Sequence, residues 1–386
     1  MPRAEATAEQ PSPRRGPGTS VLEIPTLPLE TLDAIHLVTS TTTSPRVTIS
    51  ASTYDEDHAA GELAEWLWLN GAERPFLVVS THGQQLLNRV TRAVGTAITG
   101  AGTTQGWARS CSGSARRADA VVAVGGGRCL DAAKLVAASA GIPLIAVPTQ
   151  LSHDGVCSPV SVLPRTVGGL AESLEAVAPH AAFFSLPTLM RAPVSSLRAG
   201  IGDLLANPLA LHDWKLASDA GLERINYPAW HLSVESFRLI EPQLEEPLGP
   251  ERVEPELIGV LAQALVTSGV AMMMVGTSRP ASGAEHKISH AIDELFGGRA
   301  HHGAQVAFAS LVSVALHGLD IEKFRRCLVN LGLPHHPQQL GLSHPDMVSA
   351  LLRAPSTRPG RFTVLESAAL DAREAAVLVT SLWPEE

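Results

Sequence analysis

Two stretches of this chain gather residue types that do chemistry. In the first, Val121 to Pro159, Gly125-Gly126-Gly127 interrupts an apolar run, and Pro148-Thr149-Gln150-Leu151-Ser152-His153-Asp154-Gly155 crowds hydroxyls, an imidazole and a carboxylate together. Consecutive glycines let the backbone turn tightly and present bare N–H groups at a helix N-terminus, which suits a nucleotide or another phosphorylated ligand. On the glycines alone a plain strand-to-helix turn is an equal reading, because the pattern is neither GxGxxG nor followed by Gly-Lys-Ser/Thr. The polar loop tips the balance, since a mere connector does not need all of those groups.

The second stretch holds metal-ligating types. Asp203 follows Gly200 and Gly202 and reads as the start of a helix; His286 and His290 stand four apart on one helix face; His301-His302-Gly303 follows a Gly-Gly break. One carboxylate and two imidazoles with an open position suit catalytic zinc, or Fe²⁺ in the same geometry. The bland alternative makes Asp203 a helix cap or first-turn acid and the histidine pair structural. From the residues alone, four histidines compete for two ligand places.

These groups need a scaffold, and the hydrophobic patterning supplies one. Val121–Val124 reads as a strand, Leu130–Ala140 as an alanine-rich helix stopped by Gly141 and Pro143, and Leu144–Val147 as a second strand. That is the βαβ unit of a doubly wound parallel sheet, whose ligands sit at the carboxyl ends of the strands. Further strands are expected at Arg46–Ser50, Phe76–Ser80 and Ala181–Phe184, helices at Asp57–Leu69 and Gln84–Ile98, and a polar loop at Thr103–Arg117. From about Val194 the texture turns helical: Asp203–Ala217, Glu254–Val275, Ser282–Leu295, Ala304–His317 and Asp371–Leu382. The expectation is a disordered tail over 1–28, an α/β doubly wound nucleotide-binding domain over 29–190 and a mostly α-helical metal- and substrate-binding domain over 191–386, with the active site in the cleft between them.

Gly125 to Lys134 as GGGxxxDxAK, followed by Pro148 to Pro159 as PTxxSHDGxxSP, resembles the sn-glycerol-1-phosphate dehydrogenases. These belong with the glycerol dehydrogenases, iron-type alcohol dehydrogenases and 3-dehydroquinate synthases. The glycine loop is shared across that group, and the SHDG element discriminates within it. The motifs cover Phe76 to Ala307, about three fifths of the chain. The resemblance implies NAD or NADP as cofactor, together with one divalent metal, zinc first and nickel or iron as alternatives. It implies metal ligands at Asp203, His286 and His302, with Asp203, Asp154 and His290 facing the substrate. Gly125, Gly126, Gly127, Asp131, Thr149, Ser152 and Ser158 would serve the cofactor, joined by Thr81 after the first strand of the nucleotide-binding sheet. The implied reaction is hydride transfer between nicotinamide and a small polyol phosphate, dihydroxyacetone phosphate and sn-glycerol 1-phosphate being the first pair to consider. His290 would relay a proton, and Asp154 would hold a neighbouring hydroxyl.

Three departures stand out. The family usually places an Asp after that strand to bind the adenosine ribose, where this chain has Ser80, Thr81 and His82; HGEQV is here His302-Gly303-Ala304-Gln305-Val306; and Arg128 stands in the glycine loop. Without the ribose-binding acid, discrimination against NADP(H) should be weak. Two other readings compete: a dehydroquinate-synthase-like cyclase, disfavoured because that family has Glu where Asp203 stands, and a non-catalytic descendant, disfavoured because all three ligands remain.

Composition agrees with a cytoplasmic enzyme acting on a small molecule. The 386 residues carry 29 Lys+Arg against 38 Asp+Glu, a net charge of -9, which argues against a nucleic-acid partner. Cys111, Cys129, Cys157 and Cys327 are too scattered for a disulfide framework, and a reducing compartment fits. The uncharged run Leu257–Gly276 is long enough for a membrane span, but Gln263, Thr267 and Ser268 interrupt it and favour a buried core helix. A homo-oligomer is compatible with everything above.

Overall fold

The computed structural model describes residues 21–25, 45–49, 56–81, 83–84, 86, 98–100, 104–245, 247–249 and 254–384. Six strands form one parallel sheet: β1 (Arg46–Ile49), β2 (Phe76–Val79), β3 (Ile98–Gly100), β4 (Val121–Gly125), β5 (Leu144–Pro148) and β8 (Ala181–Phe184), in the spatial order β1-β8-β5-β4-β2-β3. Every residue of β2, β4, β5 and β8 is buried, as a parallel sheet covered on both faces demands. Going along the chain, β3 lies outside β2, while β4 lies on the other side of β2. The order therefore reverses between β2 and β4, and the crevice at their carboxyl ends, between Ser80 and Gly125, is where such sheets bind ligands. Between β5 and β8 a separate antiparallel hairpin, β6 (Val160–Pro164) with β7 (Ala171–Glu175), leaves the sheet.

After β8 every described element is helical. The helix Pro255–Val275 packs along the Tyr227–Ile240 helix and buries Ile258, Leu261, Leu265 and Met272 inside the protein. Its length and composition would suit a membrane, but it is a helix of the interior.

Four expectations change. Thr103–Arg117 is not a loop: Gln105–Ala115 is a helix, its N-terminus capped by Thr104 Oγ1, which accepts from Trp107 N–H at 3.2 Å. Its apolar stripe is narrow, Ala108 and Ala115 packing toward the Gly127–Ala140 helix, so tertiary burial rather than periodicity makes it. Within the segment expected to be a disordered tail, Val21 and Leu22 are buried in the core, and Glu23 C=O lies 2.8 Å from His212 Nε2. Asp203 does not start a helix but stands next to last in Val194–Leu204, and Ala206–Asp219 is a second helix. The nucleotide-side helix begins at Gly127, three residues before the alanine-rich run. The helix expected at Gln84–Ile98 falls largely outside the described residues, and its last position belongs to β3.

Candidate active site

The glycine loop closes β4. Gly126 caps the Gly127–Ala140 helix with no side-chain bond, so the first N–H groups of that helix are left to a ligand. A side chain at Gly126 or Gly127 would have to displace a neighbour. A Cβ on Gly126 would meet Gln150 Nε2 at 2.8 Å, and one on Gly127 would meet His153 Nε2 at 2.2 Å. His153 thus lies over the loop, held there because its Nδ1 accepts from Gly155 N–H at 3.0 Å. Burial drives its imidazole down to about 3, with help from His302 and Lys134, so it is neutral. Thr149 and Ser152, both buried beside the loop, make no side-chain hydrogen bond among the described residues. Thr81 is exposed after β2, whereas the Ser80 hydroxyl accepts from Gly83 N–H at 3.1 Å and is committed to the turn. His82 lies outside the described residues.

Two of the expected cofactor residues have other partners. Asp131 is buried and pairs with Lys134 at 3.3 Å, and burial raises its carboxyl despite that cation. Lys134 is itself fully buried, and its Nζ reaches Ser158 Oγ at 3.2 Å, the Val160 carbonyl at 2.7 Å and the Gly155 carbonyl. One ammonium therefore ties the whole SHDG-to-β6 segment to the glycine-loop helix. The Ser158 hydroxyl is engaged in that knot rather than free. Lys134 stood in the motif, yet only its zero exposure and its converging carbonyls reveal the role.

Beyond His153, whose ring is 6.1 Å from that of His302, Asp203, His286 and His302 converge, with ligand-type atoms all within 4.8 Å of one another. His286 Nε2 is 3.7 Å and His302 Nε2 3.8 Å from Asp203 Oδ1. Asp203 Oδ2 accepts from Asp154 N–H at 2.9 Å, while Oδ1 is buried with no hydrogen-bond partner among the described residues. Burial lifts the Asp203 carboxyl to about 6 and, with the neighbouring His302, holds His286 well below its ordinary range. Glu285 Oε1 lies 2.9 Å from His286 Nδ1 and also accepts from Gly283 N–H at 2.6 Å, leaving Nε2 as the imidazole's free corner. A buried oxygen with no donor, faced by two imidazole nitrogens, is a donor set that fits a divalent cation. His290 is half-buried beside this group, its ring 6.3 Å from that of His302, and His301 is exposed.

Glycine is what lets these ligands meet. A Cβ on Gly303 would stand 2.0 Å from the Ala199 carbonyl and 2.9 Å from Asp203 Cβ, and one on Gly202 would stand 2.7 Å from the Gly303 carbonyl. The Val194–Leu204 and His302–Leu316 helices therefore touch backbone to backbone, which places His302 against Asp203. The same contact explains why Gly202 stands before Asp203 inside a helix, while a Cβ on Gly200 would meet the Leu151 carbonyl at 2.4 Å. Gly303→Ala is expected to destabilise the fold by about 1–3 kcal/mol through overpacking and to weaken metal retention. A urea midpoint and metal content both unchanged would refute it.

Buried polar groups position the rest. Asp213 Oδ2 accepts from Ala284 N–H at 2.7 Å, fixing the start of the Ala284–Phe296 helix that carries both His286 and His290. Asp154 Oδ2 accepts from Ser268 Oγ at 2.8 Å, and Ser268 is in turn bonded by Asn207 at 3.1 Å. Burial, reinforced by Asp203, raises the Asp154 carboxyl well above the usual range. Gln305 Nε2 donates to Ser289 C=O and to Asp293 at 2.9 Å each, locking the two histidine helices together. None of Glu285, Asp213, Ser268 or Asn207 carries a sequence signal, since each acts through a neighbour that only the fold supplies.

The family model of iron-containing alcohol dehydrogenases matches residues 37–193. A glycerol-1-phosphate dehydrogenase (NAD(P)+) of Cenarchaeum symbiosum is 37% identical over 257 residues, covering 67% of this chain and 71% of that protein. Its counterpart in Methanospirillum hungatei is 36% identical over 283 residues, covering 72% and 75%. Among solved structures, a probable glycerol dehydrogenase from Sinorhizobium meliloti superposes with a TM-score of 0.69 at 20% identity over 88% of this chain and 96% of that one. The glycerol dehydrogenase of Schizosaccharomyces pombe gives 0.69 at 19%, over 88% and 89%. At those identities the structural likeness is one of fold.

Proposed function

Because this chain belongs to the glycerol-1-phosphate dehydrogenase family, we propose that it interconverts a small polyol phosphate and its ketone, with sn-glycerol 1-phosphate and dihydroxyacetone phosphate as the pair. The observation that carries the reading is the orphaned Asp203 Oδ1 facing His286 and His302, in a chain whose glycine-loop helix has no side-chain cap. Asp203, His286 and His302 would hold the metal, a donor set that suits zinc and Fe²⁺ alike and for which zinc is proposed. When bound, that metal supplies Lewis-acid stabilisation of developing charge on a substrate oxygen, and the nicotinamide supplies or accepts the hydride.

The chain's own residues do the remaining work. Gly125, Gly126 and Gly127 admit the pyrophosphate to the helix N-terminus, and the unengaged Thr149 and Ser152 hydroxyls line the way to the cleft. Asp154, anchored through Ser268 and through its own N–H to Asp203, holds a substrate hydroxyl. His290, kept unprotonated at neutral pH chiefly by burial and then by Arg358, takes up the hydroxyl proton during oxidation and returns it during reduction. Residues 29–190 and 191–386 act as the cofactor and metal sides of that cleft.

The test is a substrate panel on the zinc-loaded full chain with NADH and NADPH, read as loss of nicotinamide absorbance. Oxidation is expected with dihydroxyacetone phosphate; turnover of other ketones but not of this one would refute the substrate assignment. Cofactor choice gives a further prediction. Thr81 is exposed where an acid would read the ribose, so Thr81→Asp is expected to shift the NAD(H)-to-NADP(H) preference about tenfold or more toward NAD(H). An unchanged ratio of kcat/KM values would show that the ribose is read elsewhere.

A further inference from the structure

The segment after the His344–Thr357 helix brings two arginines to the histidine cluster, in a part of the chain without a recognised motif. Arg358 Nη1 donates to Ser278 Oγ at 2.7 Å and Ser282 Oγ at 3.1 Å, and its Nη2 to Ser173 Oγ on the β6–β7 hairpin at 3.2 Å. Arg361 Nη1 donates to the same Ser278 Oγ at 3.1 Å and to Ser282 C=O at 2.9 Å. Ser282 lies one helical turn before His286 in sequence. Two guanidiniums thus share one hydroxyl, partly buried, at the edge of the candidate active site.

Their partners are all neutral. Among the described residues no carboxylate comes within ion-pair distance of either guanidinium, although other arginines have one: Arg279 meets Glu223 at 2.9 Å and Arg353 meets Glu294 at 2.8 Å. Glu285 acts on both arginines and Glu223 on Arg361 only from beyond ion-pair distance, and they do not offset the cost of packing like charges together: burial, followed by Arg358 itself, lowers Arg361 to about 9. Arg358 is also among the charges that, after burial, depress His286 and His290, which places it within electrostatic reach of both. A dianion arriving here would offset that repulsion, and the serines hold the two forks in place to receive it.

We propose that Arg358 and Arg361 bind the phosphoryl group of the substrate, with Ser278 and Ser282 orienting them. The identity of the anion as the substrate's rests on the functional reading above; an anion site at this place does not. Both arginines are bonded to Ser278 and Ser282, on the segment leading into the Ala284–Phe296 helix that carries His286 and His290, so the phosphate assigned to them is the one on the substrate beside those histidines rather than one on the cofactor at the glycine loop.

The experiment uses the full chain loaded with zinc and NADP+, so that the glycine loop is filled, and titrates inorganic phosphate by calorimetry. It is paired with steady-state kinetics on sn-glycerol 1-phosphate. Arg358→Gln and Arg361→Gln are each expected to weaken phosphate binding and to raise KM for the phosphorylated substrate about tenfold or more, with a smaller change in kcat and a KM for NADP+ within twofold of wild type. Should a glutamine variant not fold, Arg358→Lys and Arg361→Lys, which keep the charge but lose the fork, are expected to show a smaller rise of the same kind. No phosphate binding by the wild type, or equal binding by wild type and variants, overturns the proposal. A parallel loss of NADP+ affinity assigns the arginines to the cofactor and overturns it too. Phosphate binding that the variants lose, in a protein that turns over no polyol phosphate, upholds the anion site and rejects the substrate reading instead.

Discussion

His286→Ala is expected to leave a folded protein that has lost its divalent metal and its turnover, the rate falling on the order of a thousandfold. The side chain supplies one of three converging donors, and Glu285 at its Nδ1 leaves Nε2 to face Asp203 Oδ1 at 3.7 Å. Asp203→Ala should lose the metal too, and in addition leaves Asp154 N–H without the acceptor that Oδ2 provides. Glu285→Gln should keep the metal but bind it about 10–100-fold more weakly, as expected when a partner that orients a ligand is changed. His290→Ala, by contrast, should retain metal while lowering kcat. Metal analysis after dialysis, beside circular dichroism, separates these outcomes. Stoichiometric metal in both His286→Ala and Asp203→Ala would reject the site.

Lys134→Met should be the most destabilising single change in the nucleotide-binding half, by about 3–5 kcal/mol. Removing the ammonium strands the buried Asp131 carboxylate and leaves the Gly155 and Val160 carbonyls without their donor. The SHDG segment would then lose its tie to the glycine-loop helix, so cofactor affinity should fall along with stability. Replacing both members of the pair, Lys134→Met with Asp131→Leu, should recover part of the loss, since an apolar pair no longer buries an unmatched charge. Urea unfolding of the single and double variants measures this directly. A loss below about 1 kcal/mol in the single variant would show that the knot contributes little.

The sequence carried the parallel sheet because β-branched runs buried on both faces leave a signal in consecutive residues, and Val121–Val124 with Leu144–Val147 needed no tertiary information to be read. It carried the metal trio only with the help of family motifs. Asp203, His286 and His302 lie on three helices, and nothing local distinguishes His286 from His290 or His302 from His301. What decides between them is which imidazole nitrogen points at the orphaned Asp203 oxygen, and that follows from the backbone contact at Gly202 and Gly303. The fold alone also decided that Asp131 and Ser158 serve Lys134, that Gln105–Ala115 is a helix, and that Arg358 and Arg361 reach the site from some seventy residues downstream of His286. Local patterns encode burial and turn chemistry, which depend on near neighbours in the chain. Ion pairs, orienting hydrogen bonds and close helix contacts depend on groups far apart in sequence, and their partners exist only once the chain is folded.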